Sequence, residues 1–183
     1  MRGSDYLNRV RPCRKRLALI VTQDDRLMIR PMQAEDTATV LDMARELAAA
    51  VADPAPRLLA SDLVRDGLGP ERWFDCLVAE LAGQLVGYAV LCKGFEAHTG
   101  MRRLWIGDFY VRPSARRRGT GRAVMAEVAR QALQHGCDVV SWELWRMNSA
   151  GAAFYRTFEA EEAADLAVMR LDKDRLAAIA AGN

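Results

Sequence analysis

Between Leu104 and Gln134 an apolar, strand-like run gives way to a glycine loop and then to a helix-like run. Leu104 to Val111 is rich in aromatic and aliphatic residues, as a buried strand is. Ala123 to Gln134 repeats apolar residues at helical spacing through Val124, Val128, Ala129, Ala132 and Leu133. Between the two lie Arg116, Arg117, Arg118, Gly119, Thr120 and Gly121. Glycine lets the backbone approach an anion with no Cβ in the way. The following helix offers unpaired N–H groups and the positive end of its dipole, and arginines fork onto phosphate oxygens. A strand, loop and helix in this order read as a diphosphate cradle, whereas a basic glycine turn without those flanks reads as a solvated surface loop.

No GKS or GKT is present, which excludes the Walker loop, and no GxGxxG follows the first strand of a βαβ unit, which excludes the dinucleotide fingerprint. What remains is VxPxxRxxGxG, from Val111 to Gly121. It resembles the central motif of the GNAT superfamily, the acyl-CoA-dependent N-acetyltransferases, in which R/QxxGxG/A follows a strand. The resemblance implies acetyl-CoA as cosubstrate. Arg116, Arg117, Arg118, Gly119, Thr120, Gly121 and Arg122 are then expected at its pyrophosphate, and the backbones of Phe109, Tyr110 and Val111 at its pantetheine and thioester.

A second run, Asn148 to Tyr155, reads NSAGAAFY and resembles the family's later motif. By its own chemistry Asn148 is a good helix cap, with Phe154 and Tyr155 two turns in. The resemblance implies that Asn148, Ser149 and Gly151 hold the CoA arm and that Tyr155 is the general acid toward the leaving thiolate. The segments DLVRDGLG, WFDCLVAEL, GYAVL, LWIGDFYV and GCDVVSWELW narrow the resemblance to the spermidine/spermine and thialysine acetyltransferase branch. That branch implies a homodimer acting on primary amines of small, flexible molecules.

On the substrate side the chain departs from that pattern. The strand before the cradle carries Gly107 where the branch has a glutamate that helps deprotonate the amine. Asp108 matches the family's acid, but strand alternation points neighbours to opposite faces, so the sequence does not make it a direct replacement. Glu96, His98, Gly107, Ser141, Trp142 and Glu143 fall at substrate positions by the resemblance, with Asp108 beside Tyr155 as the catalytic pair. An acid is also missing near Val51, so a polyamine-like cation meets less negative charge than usual and an amino-acid-like amine becomes a candidate. Transfer to a protein or peptide amine, and a non-catalytic acetyl-CoA sensor, are the alternatives.

The net charge of +2 conceals an asymmetry. Residues 1–16 carry six Lys or Arg and one acid, a balance of 6 − 1 = +5, which leaves 20 − 23 = −3 for the rest. Residues 1–24 therefore read as a basic, loosely ordered extension and residues 25–183 as one N-acetyltransferase domain, with no nucleic-acid or membrane partner expected. No run approaches the length of a membrane span or a signal-peptide core, which predicts a cytoplasmic protein. Cys13, Cys76, Cys92 and Cys137 are scattered and unpaired with His98 or His135, so no metal site is expected.

The fold class expected is α/β: a mixed, twisted, mostly antiparallel sheet flanked by helices and split between its fourth and fifth strands. Strands are predicted at Arg26 to Pro31, Cys76 to Leu81, Leu85 to Cys92, Leu104 to Val111, Asp138 to Trp145 and Leu166 to Leu171. Helices are predicted at Glu35 to Val51, Ser61 to Gly67 with Ser61 as cap, Ala123 to Gln134, after Asn148, and at Asp172 to Ala181. The four tryptophans, Trp73, Trp105, Trp142 and Trp145, are assigned to strands and to the core or a dimer surface.

Overall fold

A computed structural model describes residues 27–182, so the expected extension at residues 1–24 lies outside the described residues. Contacts gather the chain into two units, one ending at Glu143 and the other beginning at Leu144. The first unit holds a five-stranded sheet in the order β1-β2-β3-β4-β5. Its strands are β1 (Leu27–Pro31), β2 (Asp75–Leu81), β3 (Gln84–Glu96), β4 (Met101–Val111) and β5 (Val139–Trp142). The first four pair antiparallel and β5 pairs parallel with β4. This is the mixed α/β sheet expected.

Helix α1 (Thr37–Ala50) covers one face of the sheet. Its start is held by Asp36, whose Oδ2 accepts from the Gln33 N–H at 2.7 Å while Arg30 forks onto both carboxylate oxygens at 2.6 and 3.0 Å. Val40, Leu41, Met43 and Ala44 are buried against Cys76, Val78, Tyr88 and Tyr110. Burying each larger side chain contributes about 1.5–3 kcal/mol. The short helix α2 (Ala60–Leu63) widens into a π turn over Val64–Leu68. Its cap is not Ser61: Leu59 holds that position, and the Asp62 carboxylate accepts the Leu59 N–H at 3.0 Å.

Helix α3 (Thr120–Gln134) covers the opposite face, burying Val124, Val128 and Ala132. There Leu77, Ala79, Ala89, Leu91, Leu104 and Ile106 are buried too. The helix begins three residues earlier than periodicity alone suggests, because Gly119 at φ 87° turns the chain directly into it.

The second unit carries α4 (Ser149–Arg156) and α5 (Lys173–Ala180). The strand predicted at Leu166 to Leu171 does not form, and Leu166, Val168, Met169 and Leu171 are exposed. An apolar run was present there, but a strand also needs a partner edge. The strand and core assignments are likewise corrected for Trp73 and Trp145, which lie outside strands at 81% and 53% exposure.

Candidate active site

The register between β3 and β4 creates the site's main feature. Leu91 lies opposite Ile106 and Val90 opposite Asp108, so Gly107 is an extra residue with no partner on β3. Such a bulge breaks strand alternation and kinks the strand. Val90 pairs with Cys76, which belongs to the core under α1, so Asp108 faces α1. A Cβ built on Gly107 would meet the Val90 side chain at 3.5 Å, on that same face. Position 107 and Asp108 therefore share one face, contrary to the expectation from simple alternation.

Asp108 is largely enclosed, and its Oδ2 accepts a hydrogen bond from the Tyr88 hydroxyl at 3.1 Å. Desolvation pushes its pKa above the ordinary carboxylate range, and the Tyr88 bond offsets only part of that. The Tyr88 phenol is itself pushed strongly upward, first by burial and then by the neighbouring carboxylate. Cys76, on the same row as Asp108, is pushed up to about 12 by burial, which leaves it an inert packing thiol.

Just past the bulge the sheet opens. Pairing between β4 and β5 runs from Arg103 and Val139 to Ile106 and Trp142 and then stops. Phe109, Tyr110 and Val111 pair on one side with Ala89, Tyr88 and Gly87 of β3, and their other side lies beyond the end of β5. An extended ligand can hydrogen-bond along that edge. The Tyr110 hydroxyl and the Arg112 guanidinium both donate to Glu46 of α1, Arg112 at 2.9 and 3.1 Å, which fixes this end of β4. Arg112 holds the Glu46 carboxyl below its usual range.

The cradle follows. Gly119 begins α3 in the left-handed region and no side chain caps that end, so the first-turn N–H groups point outward. Arg117 and Arg118 are exposed, with Arg117 itself left-handed at φ 58°. Arg116 is used differently: its Nε donates to the Val111 carbonyl at 2.7 Å and its guanidinium lies 5.6 Å from the Tyr110 ring centroid, tying the loop to β4. Buried Thr120 and half-buried Gly121 seat the helix, and Arg122 is exposed. Uncapped N–H groups, a glycine turn and nearby guanidinium groups fit a diphosphate.

Other substrate candidates of this unit fall on or near the α1 face. Ser141 pairs with Trp105, which pairs with Cys92, and so shares the face of Asp108. Glu96 is engaged by Arg103, whose Nη2 donates to it, and its charge is offset. Trp142 pairs with Ile106 and faces α3. Glu143 is exposed one residue past β5, and His98 is exposed in the β3–β4 turn. A cavity of about 370 Å³ lies elsewhere: Gln131, Gln134 and His135 line it at the far end of α3 from the cradle.

In the second unit Asn148 caps α4, its Oδ1 accepting the Gly151 N–H at 2.8 Å. Ser149, Gly151 and Tyr155 follow on that helix. Burial pushes the Tyr155 phenol up to about 12, so it keeps its proton through the neutral range. Tyr88, Arg103 and Glu46 were missed by sequence reasoning. All three roles depend on register and helix placement, which local patterns do not carry.

Among the described residues no group of side chains is arranged to hold a metal ion, and no helix is long and apolar enough to cross a membrane. The sequence model of the Acetyltransferase (GNAT) family matches residues 42–159. The chain is 29% identical over 145 residues to the thialysine N-epsilon-acetyltransferase of Sus scrofa, covering 74% of this chain and 85% of that protein. It is 32% identical over 143 residues to the spermidine/spermine N(1)-acetyltransferase-like protein 1 of Homo sapiens, covering 73% of this chain but only 20% of that longer protein. An integron cassette protein from the mobile metagenome of V. cholerae shares the fold, with a TM-score of 0.69 at 21% identity, covering 84% of this chain and 97% of the other. A sheet that parts after Ile106, a glycine-led helix beside the gap and a family match spanning both motifs lead to one assignment: the chain belongs to the GNAT family and is an N-acetyltransferase.

Proposed function

We propose that the protein transfers the acetyl group of acetyl-CoA to the primary amine of a small molecule. The observation that carries this reading is the bulge at Gly107, which turns Asp108 onto the α1 face just where β4 parts from β5. Residues 25–183 act as one N-acetyltransferase domain, with residues 1–24 as a basic extension that takes no part in the reaction. The protein works as a cytoplasmic homodimer and needs neither a metal, a nucleic acid nor a membrane.

The donor's pyrophosphate lies on the first-turn N–H groups of α3, with Arg117, Arg118 and Arg122 adding charge. Its pantetheine runs along the β4 edge at Phe109, Tyr110 and Val111, where a backbone N–H polarises the thioester carbonyl. Asn148, Ser149 and Gly151 hold the rest of the arm. The ionised Asp108, directly or through one water, takes a proton from the substrate ammonium. The freed nitrogen lone pair forms the C–N bond, the C–S bond breaks as Tyr155 gives its proton to the leaving thiolate, and the second proton lost by the nitrogen returns through water to the Tyr155 phenolate. Glu96, His98, Ser141, Trp142 and Glu143 shape the amine side, and Gly107 leaves room beside Asp108.

The test is release of free CoA from acetyl-CoA across diamines, polyamines, amino acids with side-chain amines, aminoglycosides and short peptides, with calorimetry of acetyl-CoA in parallel. Amine-dependent release with a small amine supports the reading. Tight binding with no release across the panel replaces it with a sensor, and preference for peptides replaces the small amine.

A further inference from the structure

The cavity at the far end of α3 belongs to none of the machinery described so far. Its volume of about 370 Å³ lies at the small end of the range for small-molecule pockets, about 300–1,000 Å³. Three elements enclose it. Leu77 and Leu91 are buried on the α3 face of the sheet, and Asp75 and Lys93, two residues along the same strands, lie on that face too. The last turns of α3 contribute Gln131 and Gln134, with His135 just beyond. The chain between the π turn and β2 closes the third side with Arg72. That segment is tightly built: the Asp66 carbonyl accepts the Trp73 N–H at 2.8 Å, and a Cβ on Gly67 would meet the Phe74 ring at 2.7 Å. Arg72 is therefore carried on a well-anchored wall.

The lining divides by chemistry. Met32 and Leu77 are buried and make an apolar floor with Leu68. The charged groups stand at the mouth, where the Arg72 and Lys93 side chains are each more than half exposed. They approach Asp75 from its two carboxylate oxygens, at 3.6 and 3.7 Å, which is longer than a hydrogen bond. Among the described residues Asp75 is the only acid in the lining, so two cations share one negative charge and one positive charge is left over. A matching guest carries a single negative charge at the mouth and an apolar body on the floor. A carboxylate suits a guanidinium and an ammonium side by side, whereas the second charge of a phosphate would face Asp75.

The acetyl-transfer site is elsewhere. From Thr120 to Gln131 the helix rises about 16 Å, which separates the cavity from the cradle. Asp108 faces α1, on the other side of the sheet.

We propose that this cavity is a second small-molecule site, for a singly charged organic carboxylate with an apolar body. The carboxylate lies between Arg72 and Lys93, and the body rests on Met32, Leu68 and Leu77. The ligand and acetyl-CoA occupy the protein at the same time.

The experiment titrates benzoate into the full chain, followed by amide chemical shifts and by saturation transfer to the ligand, first without and then with saturating acetyl-CoA. Benzamide tests the need for charge, benzyltrimethylammonium its sign, and inorganic phosphate the need for an apolar body. Benzoate is expected to bind with a Kd of about 1 mM, unchanged by acetyl-CoA, and at least about tenfold more tightly than the other three probes. Arg72→Gln and Lys93→Gln should each weaken benzoate about fivefold, and Asp75→Asn should strengthen it about threefold by releasing both cations. Calorimetry of acetyl-CoA, expected to match the wild type, verifies the folding of each variant; one that fails this control is set aside and the others decide. The proposal is overturned if benzoate does not bind at about 10 mM, or if acetyl-CoA displaces it. It is overturned equally if benzamide or phosphate binds as well as benzoate, or if the substitutions leave benzoate affinity unchanged. The small-amine reading is tested by turnover and stands or falls separately.

Discussion

The Tyr88 hydroxyl donates to Asp108 Oδ2 at 3.1 Å, from one row of the β3–β4 pair to the next. That bond anchors the carboxylate in a setting that otherwise disfavours its charge. Asp108→Asn is expected to lower kcat by about a hundredfold. Stability should move the other way. A carboxyl whose folded pKa is raised favours folding at low pH and loses that contribution as pH climbs from its unfolded value of 3.8 through its folded one. At neutral pH the ionised Asp108 is a burden that Asn removes, so thermal melts should place the variant above the wild type at pH 7.

The same shift fixes a pH profile. Activity needs the ionised form, so the acid limb of kcat/KM, corrected for ionisation of the amine, should lie above the ordinary 3.8 of an aspartate. Tyr88→Phe removes the one bond that favours the charge, and it should move this limb further upward. A limb unmoved by both substitutions would assign the proton to another group.

Tyr155→Phe should reduce turnover by about a hundredfold while leaving acetyl-CoA affinity within about twofold. Because burial holds the phenol at about 12, the wild type should show no alkaline loss of activity from this group below that region. Full turnover in the variant, with an unchanged profile, would remove Tyr155 from the chemistry.

Gly119 stands at φ 87° at the head of α3. An L-residue there costs about 1–2 kcal/mol, and Gly119→Ala should also raise the KM for acetyl-CoA by displacing the first-turn N–H groups. Denaturant unfolding and donor titration read the two effects separately.

Glu159 adopts φ 58° just after α4, a conformation better suited to glycine. Glu159→Gly should stabilise the protein by about 1 kcal/mol, measured by the same unfolding experiment.

What the sequence made legible was local. Leu104 to Val111, the glycine loop and the periodic Val124, Val128 and Ala132 each carry their own signal within a few residues, and Asn148 caps α4 through its neighbour Gly151. The bulge at Gly107 could not be read that way, because an extra residue is defined only against the partner strand. Tyr88 and Glu46 reach Asp108, Tyr110 and Arg112 across 20 to 66 residues of chain, a distance no local pattern spans. At Leu166 to Leu171 the failure ran the other way, since an apolar run carried no information about whether an edge was waiting for it.

β4 runs on to Val111, whereas its pairing with β5 ends at Ile106 and Trp142. On the donor site proposed above, a donor molecule lying beside this last stretch of β4 would act as a piece of secondary structure, and its binding would double as the last step of folding for this edge. Saturation with the donor at a hundred times its dissociation constant should therefore add about 2.7 kcal/mol to unfolding. Amide exchange at these residues should slow in step, so the protein's lifetime tracks the supply of the molecule it consumes.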